Sequence, residues 1–273
     1  METALPSFRK PPLVETAISL QFQLIDGLKN AHLAIYWQAM RNEFPKISDA
    51  QLLPEQVELF GEQALRARRF PGFRIAAAGE ACRMQMASQD DQAMVQIQNG
   101  RIISNWRRGT AGEYPRWGSV LSRFKESMRK FKEMLASEKL GDVVVNQWEV
   151  VYVNHLLKGR DWDTPADWHS LLPGIVANPT GYSAGTLESL VCSVQAVMPD
   201  NPGRVHADLF HGFGSLEAAP QELLSLQITA RGGVTEPTDE KAYNGLERGH
   251  VAIVRTFCDL TGPTAQKRWE REV

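Results

Sequence analysis

The stretch AMVQIQNGRIISNW, residues 93–106, decides the fold of the first half of the chain. Asn99-Gly100 lies between two alternating apolar runs and favours a type I′ turn, because both central residues of that turn need a positive φ. A turn at this point places Ile97 opposite Ile102 and sets the register of the whole hairpin. The sequence therefore predicts an antiparallel hairpin with one side in a core. Its other side is polar and carries Gln96, Gln98, Arg101 and Asn105.

The segments around this hairpin alternate between strand and helix patterns. Residues 14–24 place apolar side chains at even positions and mostly polar ones at odd positions, which predicts a half-buried strand. Residues 28–44 have helical spacing, and residues 46–72 predict a loop with a short helix near 56–68. After the hairpin, residues 117–135 carry one apolar stripe and predict a long amphipathic helix.

The second half of the chain repeats this order of elements. We predict a strand over 146–157, a short helix over 167–176, strands over 187–198, 204–213 and 223–231, and a helix over 239–260. The predicted fold class is α+β, with two similar lobes, 1–140 and 141–273, each an antiparallel sheet covered by a long helix. The shared order of elements indicates a possible internal duplication, while the sequence match between the halves is faint.

Composition narrows the class of protein. Hydrophobic residues make up 43% and charged residues 23%, which excludes a disordered or fibrous chain. No apolar run approaches the roughly 18 residues of a membrane span, and the chain begins without a secretory signal pattern. Three scattered cysteines are typical of reduced thiols, so we expect a cytoplasmic protein with no membrane partner. Residues 1–139 carry a net charge of +5 and residues 140–273 one of −7, which indicates either an acidic partner for one half or two lobes that attract each other.

Four short motifs follow one another along the chain. They are Pro11-Pro12-Leu13-Val14-Glu15, then Gln96, Gln98, Arg101, Asn105, Trp106 and Arg107, then Glu149, Tyr152, Val153 and Asn154, and finally His250, Phe257, Leu260 and Thr261. In this order they resemble a sporadically distributed family of uncharacterised prokaryotic proteins of similar length. The resemblance implies no particular reaction. The patchy distribution of the family is similar to that of accessory genes, such as defence or toxin–antitoxin modules.

The polar side of the hairpin is the main candidate binding surface. Its candidate residues are Gln96, Gln98, Arg101, Asn105, Arg107 and Arg108, with Glu15 and Glu149 at comparable places in the two halves. An exposed sheet face of this kind predicts docking of another protein, and a solvated face without a partner is the plain alternative. For Glu15 and Glu149 we expect a salt bridge to arginine between the lobes rather than a pair of acid–base carboxylates.

Nucleic acid is a further possible partner, because clustered Lys and Arg beside a sheet can follow phosphates. Stacking of bases needs aromatic side chains on that same face, however, and Trp106 falls on the core side of the hairpin. The sequence pI of about 6.3 is also far from the basic range of most such proteins.

Signals for enzymatic chemistry are weak. Residues 181–185 match G-x-S-x-G, but no strand precedes and no helix follows, so they predict a turn rather than a nucleophile elbow. His206 and Asp208 share a strand face and are weak metal candidates, since a protein site usually needs three or four ligands. His250 falls on the apolar stripe of the last helix and is expected in the core with one hydrogen bond. No nucleotide-binding motif occurs, and no cofactor is predicted.

These observations favour a non-catalytic cytoplasmic protein that docks another protein through an exposed sheet face or the cleft between its lobes. The alternative is a small-molecule-binding protein or enzyme, because a helix on a curved sheet can enclose an apolar pocket. That pocket would be lined by Trp148, Tyr152, Trp162 and Trp168.

Overall fold

The computed structural model describes residues 4–60, 82–109, 113–177, 185–199, 203–215 and 220–272. The strands are β1 Ser7–Phe8, β2 Leu13–Phe22, β3 Lys46–Ala50, β4 Arg83–Ala87, β5 Ala93–Gln98, β6 Arg101–Arg107, β7 Val145–Leu157, β8 Val191–Val197, β9 Gly203–Ser215, β10 Pro220–Gly233 and β11 Arg271–Glu272. The helices are α1 Asn30–Met40, α2 Arg116–Ser137, α3 Trp168–Leu171 after a 3₁₀ turn at Pro165–Asp167, α4 Asp239–Leu260 and α5 Pro263–Arg268. No helix in these ranges is both long and apolar enough to cross a membrane.

Nine strands of the described chain form one antiparallel sheet in the order β3-β4-β5-β6-β2-β7-β10-β9-β8. The α+β class with large antiparallel sheet content is therefore confirmed. The expectation of a separate sheet in each lobe is wrong, because β2 and β7 pair directly and join both halves into one sheet. A two-stranded ladder of β1 and β11 adds a second link between the halves.

The predicted register of the central hairpin is confirmed. Ile97 pairs with Ile102 and Gln98 with Arg101, as the position of the turn requires. The predicted type I′ turn is wrong, since Gly100 has a φ of +97° whereas Asn99 has no positive φ. The side chain of Asn99 instead accepts a hydrogen bond from the Ile25 N–H at 2.9 Å and donates one to the Ile25 carbonyl at 3.0 Å. These two bonds hold the turn against the segment that follows β2.

The core lies between one face of the sheet and the long helices. Ile18, Leu20 and Phe22, at even positions of β2, are buried there, and Trp106 joins them as predicted. Helix α4 approaches β7 closely, because a Cβ at Gly245 would lie 2.3 Å from Trp148 Cδ1. The expected stripes of α2 and α4 face this core, so the long helices cover the sheet as the periodicity indicates.

The opposite face of the sheet is covered by residues 51–60, which we call the strap. The strap leaves β3 at one edge and crosses towards β9, without the helix that we expected from residue 56 onward. Residues 61–68 of that expected helix lie outside the described residues. The strap explains why odd positions of β2, such as Ser19 and Gln21, are buried rather than solvated. Leu24, in contrast, lies beyond β2 and is 77% exposed.

Candidate functional site

Side-chain amides on the sheet face hold the backbone of the strap. Gln98 on β5 donates to the Leu53 carbonyl and accepts from the Leu53 N–H, both at 2.9 Å. Gln21 on β2 repeats this with Gln56, donating at 2.8 Å and accepting at 3.0 Å. Each glutamine thus serves one donor and one acceptor of an extended chain, as a neighbouring strand does in a ladder.

Near the end of the strap, the side chain of Glu58 lies among cationic side chains. One carboxylate oxygen accepts a hydrogen bond from Arg204 at 2.8 Å, and the other lies 3.1 Å from Arg231 and 2.6 Å from His206 Nε2. The Glu58 N–H also donates to Gln147 Oε1 on β7, at 3.1 Å. Burial favours the neutral carboxyl, but the hydrogen bond from His206 and the charges of Arg231 and Arg204 outweigh it and lower the pKa of Glu58.

A second ion cluster lies directly beneath the strap. Arg101 pairs with Glu149 and donates to Ser19 Oγ at 2.9 Å, and both charged side chains are less than 10% exposed. Arg231 donates to the other oxygen of Glu149 at 2.6 Å and so connects this pair to Glu58. The pair fits the expected salt bridge between the halves, because Arg101 comes from the first half and Glu149 from the second.

The remaining candidate residues form a separate chain of hydrogen bonds. Gln96 donates to Asn105 at 2.7 Å, and Asn105 donates to Glu15 at 2.8 Å. Arg107 pairs with the other oxygen of Glu15 at 3.1 Å, and more than half of its side chain is exposed. Both residues belong to the first half, so the expected salt bridge of Glu15 between the lobes is wrong. Arg108 donates to two backbone carbonyls near the start of β2 and takes no part in either ion cluster. The structure therefore divides the predicted site into a part beneath the strap and a part beside it.

The expected exposure of this face is wrong for most of the predicted residues. Gln96, Gln98, Arg101, Asn105 and Glu149 are each less than 10% exposed. The strap covers one part of the face, and in the rest the side-chain amides form hydrogen bonds with one another. These polar groups are therefore shielded from water but still have hydrogen-bond partners.

Sequence reasoning missed Arg204, Arg231 and Glu58 as members of the site. Glu58 is 146 positions from Arg204 and 173 from Arg231, so no local spacing connects them. The one available signal is alternation along β9, which places Arg204 and His206 on the same face. His206 binds Glu58, and the part of the chain that the structure describes contains no group of three side chains suited to a metal ion.

Without Glu58, the two linked ion clusters are cationic. Arg101, Arg204 and Arg231 contribute three positive charges to them against the single negative charge of Glu149. Glu58 is therefore the second counter-ion of the cluster. Phe60 adds a cation–π contact, with its ring centre 5.0 Å from the Arg204 guanidinium. This arrangement can hold an extended backbone together with one acidic side chain.

A separate cavity of about 220 Å³ lies on the helix side of the sheet. It is lined mainly by apolar side chains. Its polar members are Ser7, Tyr114, Arg116, Tyr152, Asn154 and His250. Of the four aromatic residues predicted for a pocket, only Tyr152 lines this cavity. Trp148 packs under α4, and Trp162 and Trp168 pack against each other with ring centres 5.3 Å apart. The G-x-S-x-G motif lies outside the described residues, apart from Gly185.

Comparisons with known proteins add little to this geometry. Neither protein families nor curated proteins give a match to this chain. Among solved structures, the substrate-free duplicated taurocyamine kinase from Schistosoma mansoni is similar over 90% of this chain, with 10% identity and a TM-score of 0.36. This chain spans 33% of that kinase chain. A likeness at this level carries no inference about fold or activity.

Proposed function

We propose that this protein is a non-catalytic binding protein whose polar sheet face holds an extended, acidic segment of another protein. One observation carries the proposal: the face already binds such a segment, since glutamines bind the backbone of the strap and Arg204, Arg231 and His206 bind its one buried carboxylate. A partner segment with an acidic residue at the place of Glu58 would make the same contacts.

Competition between the strap and a partner follows from this arrangement. A segment in the same chain has a high effective concentration at its own site, in the millimolar range for short flexible tethers. A free peptide must overcome that advantage, so release of the strap would control binding. The backbone contacts tolerate most side chains, and selectivity would come from the acidic position.

The proposal also includes the cellular location, the family and the class of partner. We infer that the protein works in the cytoplasm, since Cys82, Cys192 and Cys258 are all unpaired. We also propose membership of the prokaryotic family that the four motifs resemble, and with it a place in an accessory gene module. A nucleic-acid partner would use the same cations without needing the glutamine contacts, and it is therefore an outcome of the test below.

An internal duplication remains part of the proposal. From the middle of the sheet outward, the first half contributes β2, β6, β5, β4 and β3, and the second contributes β7, β10, β9 and β8. In each half the first strand of the large sheet is its central strand, β2 or β7, and a long helix, α2 or α4, follows the last strand of that sheet. The shared order supports a duplicated ancestor, and comparison of the backbones of the two halves would test it.

The test uses the full-length protein with the strap displaced by charge. Glu58→Arg places a cation against Arg204 and Arg231 and should release the strap. Glu55→Arg makes the same change at an exposed position of the same segment and is the matched control. The probe is a fluorescein-labelled peptide with the sequence of residues 51–60, followed by fluorescence anisotropy.

We expect the Glu58→Arg variant to bind the peptide, and the wild type and Glu55→Arg to bind it at least about tenfold more weakly because their straps occupy the face. A peptide with Gln at the place of Glu58 should bind more weakly than the native sequence. The proposal is wrong if the released face ignores both peptides, or if it prefers a labelled single-stranded oligonucleotide over them.

A further inference from the structure

We infer that the cavity beside α2 and α4 is a second binding site, for a small neutral ring compound that carries one hydrogen-bonding group. This inference goes beyond the proposed function, because the cavity lies on the helix side of the sheet and shares no residue with the strap site. It rests on the shape of the cavity, its walls and one chain of hydrogen bonds.

The size of the cavity fits one ring with a substituent. An apolar cavity of about 150 Å³ is enough to hold benzene, and this one measures about 220 Å³. Apolar side chains that include Phe8, Leu13, Ile253, Val254 and Phe257 form most of its lining. Burial of an apolar ring against these side chains supplies the main attraction.

A stacked pair of rings forms part of the cavity lining. The Trp117 indole and the His250 imidazole stack with centres 4.4 Å apart and planes within 5° of each other. Trp117 is held in place by its N–H, which donates to Glu247 at 2.6 Å. A guest ring would meet aromatic side chains that are already fixed in place, and offset-stacked or edge-to-face contacts with them favour a ring over a branched aliphatic chain.

Three neutral groups of the cavity lining form a chain of hydrogen bonds, whereas the one cation of the lining, Arg116, donates to the Phe8 carbonyl at 3.0 Å. The Tyr114 and Tyr152 hydroxyls lie 2.9 Å apart, and the Tyr152 hydroxyl lies 2.8 Å from His250 Nδ1. Burial raises the pKa of Tyr114 to about 12 and lowers that of His250 to about 4, so both are uncharged at neutral pH. A neutral guest avoids the cost of placing a charge beside them.

The chain can serve either a donor or an acceptor. If His250 Nδ1 accepts from Tyr152, then Tyr152 accepts from Tyr114, and the Tyr114 oxygen is left to accept from the guest. With the other imidazole tautomer every bond reverses, and the Tyr114 hydroxyl donates to the guest instead. Tyr114 is thus the end of the chain that a guest would bind.

The experiment is isothermal titration calorimetry of the full-length protein with phenol and with toluene, which differ by a hydroxyl and a methyl group. We expect saturable binding of both at one site, with phenol about three- to tenfold tighter, as a neutral hydrogen bond implies. Tyr114→Phe should bring phenol to the level of toluene. Tyr243→Phe, which removes a hydroxyl elsewhere on α4, should leave both unchanged.

Filling the cavity provides the second test. Val254→Phe should abolish binding of both compounds, whereas Val251→Phe, the same change outside the cavity on the same helix, should preserve it. Thermal unfolding establishes whether each variant is folded. If Val254→Phe does not fold, the phenol affinity of Tyr114→Phe decides whether the inference holds. The inference is overturned if the wild type binds neither compound saturably, if folded Val254→Phe binds both normally, or if Tyr114→Phe binds phenol unchanged.

Discussion

Replacement of Glu149 by alanine should destabilise the fold more than almost any other single change on the sheet face. Glu149 is the shared partner of Arg101 and Arg231, and its side chain and that of Arg101 are only 8% and 6% exposed. Removing one member of a buried ion pair leaves an uncompensated charge and costs about 3–5 kcal/mol. Arg231 keeps Glu58, whereas Arg101 keeps only the Ser19 hydroxyl, so Arg101 sets most of the cost.

An exposed ion pair provides the scale for comparison. Lys46 and Asp91 lie 2.6 Å apart at the edge of the sheet, with side chains 41% and 67% exposed. Solvent screens such a pair, and its loss in Asp91→Asn should cost about 0–1 kcal/mol. The contrast between the two variants isolates the effect of burial.

A double variant separates the pair from its surroundings. Arg101→Met with Glu149→Leu replaces both charges by apolar groups of similar size, a change that is often neutral when an ion pair is buried. We expect the double variant to be more stable than Glu149→Ala, although Arg231 still loses one partner. The single variants Arg101→Met and Glu149→Leu complete the double-mutant cycle.

The assay is urea unfolding followed by circular dichroism, with the same slope required of every variant. For Glu149→Ala we expect a loss of about 3–5 kcal/mol and a melting temperature lower by roughly 10 °C. A loss below about 1 kcal/mol, or a double variant less stable than Glu149→Ala, would refute the argument that a buried Arg101 needs this carboxylate.

Three further outcomes follow from packing and titration. Gly245→Ala should cost about 1–3 kcal/mol by overpacking against Trp148, whereas Gly118→Ala, with nothing within 4 Å of its new Cβ, should gain up to about 1 kcal/mol; thermal unfolding in the reverse order would contradict this. Burial lowers the pKa of His250 to about 4. Between the ordinary pKa of histidine and pH 4, the imidazole is therefore protonated in the unfolded chain but neutral in the folded one. Stability should therefore fall by roughly 3 kcal/mol over that range, and His250→Gln should flatten the profile; an unchanged slope would disprove the assignment. The pKa of Glu58 is lowered, so its contribution is complete above the ordinary glutamate value and is lost only as the pH falls through the lower folded value. Hydrogen exchange of the strap amides, corrected for intrinsic rate, should show protection at pH 5 that disappears in stronger acid, and Glu58→Gln should remove that dependence; equal acid sensitivity in both would count against it.

Local patterns predicted the fold where one physical rule dominates. Alternation and a single turn defined the hairpin register, and the helical stripe located α4 at Asp239–Leu260 as expected. The turn type was wrong because Asn99 bonds to Ile25, a contact 74 positions away that no local rule contains. The pairing of β2 with β7 was missed for the same reason, since either strand could equally have ended its own sheet.

The site was harder to predict because a long connection decides it. The polar residues on one side of β5 and β6 predict a solvated surface. This prediction assumes that no other segment of the chain covers them. Residues 51–60 have no periodicity and gave no sign that they cover a sheet. The only sequence feature that points to this cover is a set of glutamines on the sheet face, Gln21, Gln98 and Gln147. Their amides are suited to binding a backbone as well as water.

The ladder between β2 and β7 has a consequence for any attempt to divide the protein. Cutting the connection between α2 and β7, at residues 138–144, would leave each fragment with a bare strand from the middle of the sheet. Such edges recruit other strands, so either fragment expressed alone should aggregate. Co-expressed fragments would instead recover the β2–β7 and β1–β11 pairings, and the two pieces would make a natural split reporter.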